Sequence, residues 1–216
     1  MMFTSFISSL KEQLSGPLPG FDAQFQMAPE GRKKLPYNIS TIKGYRESAV
    51  CLFLFERNGK IYFPLIERPV YDGVHSGQLA LPGGKTEKED EDFIAGALRE
   101  MMEEIGAEIT RKNVIGKLTD IYIPPSNFMV KPVVAFSESI PVYNINPKEV
   151  ESVIEFGLHE LMNDELIKET ELTVYNNAKI KTPYFEVRGK ILWGATAMML
   201  NEFKTILKSE NLLSLI

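Results

Sequence analysis

From Ala49 to Phe55 the chain reads AVCLFLF, seven apolar residues without a break. A strand with one wet face alternates, so this run predicts a strand covered on both faces. A second apolar run, IYFPLI, begins at Ile61, just past Asn58-Gly59. That dipeptide between two such runs predicts a two-residue β-hairpin. Shorter strands are predicted at QLALP (78–82), stopping at Gly83-Gly84, and at GKLTDIYIP, VKPVVAFSE, EVESVIEFGL, TELTVYNN and TPYFEV. The polar stretches VYDGVHSG and PPSN read as loops.

The helical period recurs at three places. Residues 1–14 put Phe3, Phe6, Ile7 and Leu10 on one face. EDEDFIAGALREMMEEIG (89–106) reads as a helix with acids in its first turn and Gly106 as its stop. WGATAMMLNEFKTILKSENLL (193–213) reads as one closing helix, and HELMNDELI as a short acidic one. Residues 15–45, rich in Pro, Gly and polar residues, read as an extended arm. The expected division is therefore a helix and arm over 1–45 and a domain over 46–216. Strands and helices mix without strict alternation, which predicts an α/β fold of the α+β kind, a mixed sheet covered by helices.

Composition adds exclusions. The chain of 216 residues carries a net charge of −5, which argues against nucleic acid as a partner. Its single cysteine, Cys51, lies in the apolar run, so no internal disulfide forms and a reducing compartment is expected. No apolar run reaches the roughly 20 residues of a membrane span. The N-terminal stretch lacks the basic start and cleavage site of a signal peptide, and the final SLI is no peroxisomal address. The expectation is a cytoplasmic protein with no membrane partner. The apolar face of the first helix has two places to pack: its own domain, or a partner subunit in a homodimer.

The chemistry concentrates on the second helix. At 100° per residue, with Glu100 at 0°, Leu98, Ile105, Ile94, Met101 and Met102 form the expected core stripe. Glu100, Glu103 and Glu104 share another face with Phe93, Gly96 and Ala97. Like charges at this spacing repel. A hard divalent cation, Mg²⁺ or Mn²⁺, would remove that repulsion, and there is no His or Cys cluster to favour zinc. The helix alone equally fits a solvated acidic face with an ordinary Arg99–Glu103 ion pair.

The surrounding residues favour the metal. GGKTEKEDEDFIAGALREMMEEIGA resembles the Nudix box. Arg99, Glu100, Met101, Glu103, Glu104, Gly106 and Ala107 fit its second half. In its first half the acidic position falls to Asp90 counted from Gly84, and to Glu91 counted back from Arg99. The resemblance implies a Nudix-type α/β/α sandwich and a metal-dependent pyrophosphohydrolase. Glu100, Glu103 and Glu104 are the implied metal ligands, with Arg99 holding a carboxylate in place. The general base is left open between a box glutamate and a loop glutamate such as Glu149 or Glu151.

Outside the box, Arg68, Gly77 and Leu81-Pro82-Gly83-Gly84 resemble the segment that precedes it in coenzyme A pyrophosphatases. Pro124-Pro125-Ser126-Asn127 and Ile191-Leu192-Trp193-Gly194 resemble later parts of that subfamily. Two positions depart from it, Pro69 and Gly73, the latter where the subfamily has a second arginine. The implied substrate is coenzyme A or an acyl derivative, a small-molecule diphosphate, with Arg68, His75, Gln78, Gly83, Gly84 and Lys85 as its contacts. The departures keep ADP-ribose, a dinucleotide or a nucleotide sugar as the alternative. A non-catalytic nucleotide-binding module is a third reading, against which the three retained glutamates count. Trp193 reads as a helix-start anchor and His159 as a surface residue.

Overall fold

A computed structural model describes residues 2–33, 41–70, 76–173 and 178–215. The first hairpin forms as its sequence predicts. Strand β1 (Arg46–Arg57) turns through Asn58 and Gly59, with φ of 52° and 74°, into β2 (Lys60–Glu67). Two successive positive φ values are what an Asn-Gly turn allows at low cost. β1 also runs parallel to β7 (Phe128–Ser137), in register from Arg46↔Phe128 to Phe55↔Ser137. The sheet is completed by β3 (Leu79–Ala80), β4 (Gly83–Lys85), β5 (Val114–Lys117), β6 (Ile121–Ile123) and β8 (Ser152–Gly157). It runs β3-β2-β1-β7-β5, with β4 on β1, β6 on β7 and β8 on β2. One parallel pair among antiparallel ones makes it mixed, as expected.

The continuous apolar run of β1 is explained by its two covered faces. Ala49, Cys51 and Phe53 pack with Ala97, Met101 and Ile105 of helix α4 (Phe93–Ile105). Leu52 and Leu54 belong to the larger core on the other side. That core holds Phe3, Phe6, Ile7 and Leu10 of α1 (Met2–Ser15) and most of α6 (Gly194–Leu207). The apolar face of α1 is thus covered by the chain's own core. A second sheet, β9 (Ile167–Thr173), β10 (Lys179–Val187) and β11 (Lys190–Trp193), lies beside the first, with β11 against β3. No helix among the described residues is long and apolar enough to cross a membrane.

Several expectations need correction. The described part of residues 15–45 is not a plain extended arm: it forms α2 (Gly20–Gln24) and α3 (Glu30–Lys33). For α2 the reason is a buried polar knot. Glu202 of α6 is wholly buried and accepts from Gly20 N, Gln24 Nε2 and Thr119 Oγ1 at 3.1, 2.8 and 2.6 Å. Such a carboxylate holds its donors because an unpaired buried charge is costly. Gly83-Gly84 does not end a strand but forms β4. GKLTDIYIP splits at Leu118, whose side chain turns into the core. EVESVIEFGL becomes strand only from Ser152, and HELMNDELI divides into α5 (Leu158–Leu161) and a separate turn. The closing helix breaks after Leu207, and α7 (Glu210–Leu213) brings Leu212 into the core against α1. Strand β11 was not anticipated.

α4 begins at Phe93, later than the acidic run implies, and the acids precede its first turn. Asp92 caps it, accepting from Ala95 N at 2.9 Å and pairing with Arg111 at 2.8 Å. Gly106, at φ 68°, closes it. The cap yields a prediction. Asp92→Ala is expected to cost about 1 kcal/mol and to lower the melting temperature by roughly 2–4 °C. A calorimetric scan checks this, and metal uptake should be unchanged.

Candidate active site

Helix α4 lies on the sheet with its buried side turned further toward the carboxylates than the wheel predicts. Gly96, Ala97, Met101, Glu104 and Ile105 are buried, while Met102, expected in the core, is 54% exposed. Glu104 is therefore a carboxylate on the packed face, 2% exposed. It is received by β4. The Gly83 N–H donates to Glu104 Oε2 at 2.7 Å.

The two glycines are there for close approach. A Cβ on Gly83 would stand 2.3 Å from the Ala49 carbonyl oxygen of β1, and one on Gly84 would stand 2.5 Å from Glu100 Oε2. The first lets β4 press onto β1. The second lets the Glu100 carboxylate lie against the strand. Gly96 makes room for the loop rather than for a ligand: its Cβ would meet Asp90 Oδ2 at 2.9 Å.

Arg99 sorts the remaining acids. Its guanidinium donates to Asp90 Oδ1 and Oδ2 at 3.0 and 3.1 Å, to Glu100 Oε1 at 2.9 Å, and to Glu103 Oε2 at 2.9 Å. It also reaches the Lys85 carbonyl at 3.1 Å. The bidentate pair holds Asp90 below the usual carboxylate range and raises Arg99 further. Of the two acids left open by the spacing, Asp90 is the one that meets Arg99. Glu91, 85% exposed, sits near Arg111 instead. The predicted Arg99–Glu103 pair is present, and it turns Glu103 toward solvent, 51% exposed.

The carboxylates that converge are Glu100, Glu104 and Glu149, each with an oxygen within 4.8 Å of the others. Glu149 comes from the turn before β8, far away in sequence. The expected trio thus differs in one member, with Glu149 brought in beside Glu100 and Glu104 and Glu103 held aside. Burial pushes Glu104 up to about 7, against the pull of the Gly83 bond and the Arg68 charge. Burial raises Glu100 too, opposed by Arg99. Three carboxylate donors with no His or Cys among them, one of them buried and both helix members raised in proton affinity, fit a hard divalent cation.

Of the expected substrate contacts, Arg68, Gly83 and Gly84 adjoin this cluster. Arg68, at the end of β2, directs its guanidinium toward the Gly83 carbonyl at 3.5 Å. Its backbone N–H donates to the Gln78 carbonyl at 3.1 Å. Lys85 is exposed at the end of β4. His75 lies outside the described residues, as do Tyr71 and Gly73. Trp193 precedes α6 and pairs with Tyr184 in the second sheet, and His159 is exposed with its ring against Tyr62.

The raised Glu104 gives a signed pH dependence. Its folded value lies above its unfolded one, so its contribution to stability is complete below about pH 4.5 and is lost as pH rises through about 7. A cation must displace that proton. Mn²⁺ is therefore expected to raise the melting temperature more at about pH 8 than at about pH 5.5. Glu104→Gln should abolish the Mn²⁺ shift and leave the metal-free protein at least as stable as wild type at the higher pH. An equal Mn²⁺ shift at both pH values would show that Glu104 does not face the ion.

Three comparisons place this arrangement among known proteins. The model of the NUDIX domain matches residues 44–176. The uncharacterized Nudix hydrolases NudL of Yersinia pestis and Yersinia pseudotuberculosis are each 32% identical over 130 residues. That match covers 58% of this chain and 62% of theirs, so it spans less than two thirds of the relatives' length. A MutT/nudix family protein from Enterococcus faecalis has a similar fold, with a TM-score of 0.53 at 15% identity, over 86% of this chain and 71% of that one. The acidic helix, the double-glycine strand that receives it and the match over residues 44–176 lead to one conclusion: the chain belongs to the Nudix family.

Proposed function

We propose that the protein hydrolyses the diphosphate bond of coenzyme A or acyl-coenzyme A, giving adenosine 3′,5′-bisphosphate and phosphopantetheine or its acyl form. The observation that carries the hydrolytic part is the convergence of Glu100, Glu104 and Glu149. These residues would hold Mg²⁺ or Mn²⁺, with Glu103 as an outer carboxylate. The bound cation would supply neutralisation of the diphosphate and activation of water.

The chain's own residues do the positioning. Gly83 N–H fixes one oxygen of Glu104, and Arg99 fixes one of Glu100, so each carboxylate keeps an oxygen for the ion. Asp90 holds Arg99 in turn. Glu149, the exposed member, is on the solvent side and is the carboxylate best placed to take the proton of an attacking water. Arg68 and Lys85 supply positive charge at the rim for the phosphates, with Gln78 and His75 as the further contacts that the resemblance implies.

The coenzyme A assignment rests on Arg68, Gly77 and Leu81-Pro82-Gly83-Gly84 before the box, and on Pro124-Pro125-Ser126-Asn127 and Trp193-Gly194 after it. Gly73, standing where that subfamily has an arginine, favours the second reading: ADP-ribose, a dinucleotide or a nucleotide sugar on the same metal site.

A product assay separates the readings. With Mn²⁺ present, coenzyme A is expected to yield adenosine 3′,5′-bisphosphate faster than ADP-ribose, NADH or diadenosine polyphosphates are cut. Glu104→Gln should lower the rate by about 100-fold or more. Faster cleavage of another diphosphate would retain the site and discard coenzyme A. Cleavage of none would leave a binding module.

A further inference from the structure

Two of the three converging carboxylates are fixed by α4 and β4, but Glu149 stands on a separate turn. That turn is bracketed at both ends. At its start the Asn146 N–H donates to the Glu104 carbonyl at 2.9 Å. The Asn146 carbonyl accepts from Glu149 N and Val150 N at 3.0 and 2.9 Å, which winds the turn. Val150, wholly buried, anchors it in the core under α4.

At its other end everything converges on Glu67, the last residue of β2. The Glu67 carbonyl accepts from Glu151 N at 2.8 Å. Its side chain uses both oxygens. Oε2 accepts from Ser152 Oγ at 2.7 Å, and Oε1 meets Lys190 Nζ at 2.5 Å. Glu67 and Ser152 are cross-strand partners in the β2–β8 ladder, whereas Lys190 belongs to β11 in the second sheet. The two donors hold Glu67 below the usual carboxylate range, so it stays ionised through neutral pH.

We propose that Glu67 is a positioning residue of the active site: held by Lys190, it grips Ser152 and so sets where the Glu149 carboxylate stands relative to Glu100 and Glu104. The proposal rests on the reading that these three carboxylates hold the cation. It makes the hairpin β10–β11 part of the site, although none of its residues is among the converging ligands. The reasoning is geometric. Glu149 is exposed and its own side chain does not define its place, so the two ends of its turn do. One end is tied by main chain to α4, which already carries the other two ligands. The other end is tied by main chain at Glu151 and by the Glu67 side chain at Ser152, and that side chain is what a substitution can remove. An ion pair this close to the surface, with Lys190 45% exposed, contributes little to stability. An outer partner that orients a ligand typically changes metal affinity by about 10–100-fold.

The test is Mn²⁺ binding to the metal-free full-length chain, by calorimetry and by the electron paramagnetic resonance signal of free Mn²⁺. Glu149→Gln sets the benchmark loss. Glu67→Ala is expected to weaken Mn²⁺ by about 10-fold, and Glu67→Gln, which keeps an acceptor for Ser152, to recover part of that loss. Ser152→Ala and Lys190→Met should each give a smaller weakening in the same direction, and they carry the test if Glu67→Ala folds poorly. The double variant Glu67→Ala with Glu149→Gln is expected to bind like Glu149→Gln alone, because Glu67 acts through Glu149. Wild-type affinity in Glu67→Ala, or a full additional loss in the double variant, overturns the positioning role while leaving the metal site intact. A different pattern marks failure of the underlying reading: no Mn²⁺ uptake by wild type, or uptake unchanged by Glu149→Gln. Either would overturn both.

Discussion

The site depends on a carboxylate buried where an apolar side chain would ordinarily go. Glu104 lies on the packed side of α4 beside Ala97 and Met101, and its main compensation is one hydrogen bond from Gly83 N. Burying a charge this way is expensive unless it is paired or neutralised. The fold supplies part of the offset through Gly83 and the nearby charge of Arg68 and leaves the rest as a raised proton affinity. β4 needs glycine twice for this to work, once against the backbone of β1 and once against the Glu100 carboxylate. Substituting either glycine has different consequences. Backbone cannot yield at Gly83, whereas at Gly84 the Glu100 side chain can swing away and leave the site.

Around that contact the acids of one short stretch fall into separate tasks. Asp92 caps the helix, Asp90 and Glu103 balance Arg99, and Glu100 divides its two oxygens between Arg99 and the cluster. Arg99 is what separates them. It spans from the loop before α4 to the helix itself, so the loop, the end of β4 and Glu100 are tied together. A patch that reads as one block of negative charge is in fact a helix cap paired with Arg111 and a separate group of three acids gathered on Arg99.

How much of this was legible follows from which signals are local. The β1–β2 hairpin was, because Asn58-Gly59 carries its own turn geometry, and so was the body of α4, because its apolar period and its Gly106 stop are local, although its cap at Asp92 was hidden in the acidic run. The pairing of Glu100 with Glu104 was legible from spacing at i and i+4. β4 was not: a double glycine reads as a break, and only the pressure of β1 on Gly83 makes it strand. Helix α2 was hidden for a similar reason, since its donors meet Glu202, nearly the whole chain away. Met102 was misplaced because the wheel assumed that every apolar residue faces the core, while the true packed face includes a glutamate. Glu149 was within the sequence's reach only as one of several loop acids, for no spacing rule relates it to α4.

The same geometry explains why Glu103 and Glu149 differ in kind. Glu103 is rotated by about 60° from Glu100 and by about 100° from Glu104 around the helix, onto the side where Arg99 already neutralises it. Glu149 approaches from outside the helix and meets the face where Glu100 and Glu104 retain uncompensated charge. Like charges brought so close oppose folding, and the fold accepts that cost here, with Val150 and the ladder of β2 and β8 holding the third acid in position. An acidic surface formed by chance would relax by turning its side chains outward, as Glu91 does. That Glu104 stays buried, and that a distant turn is braced to bring Glu149 to it, is the physical reason to regard the cluster as a place built for a cation.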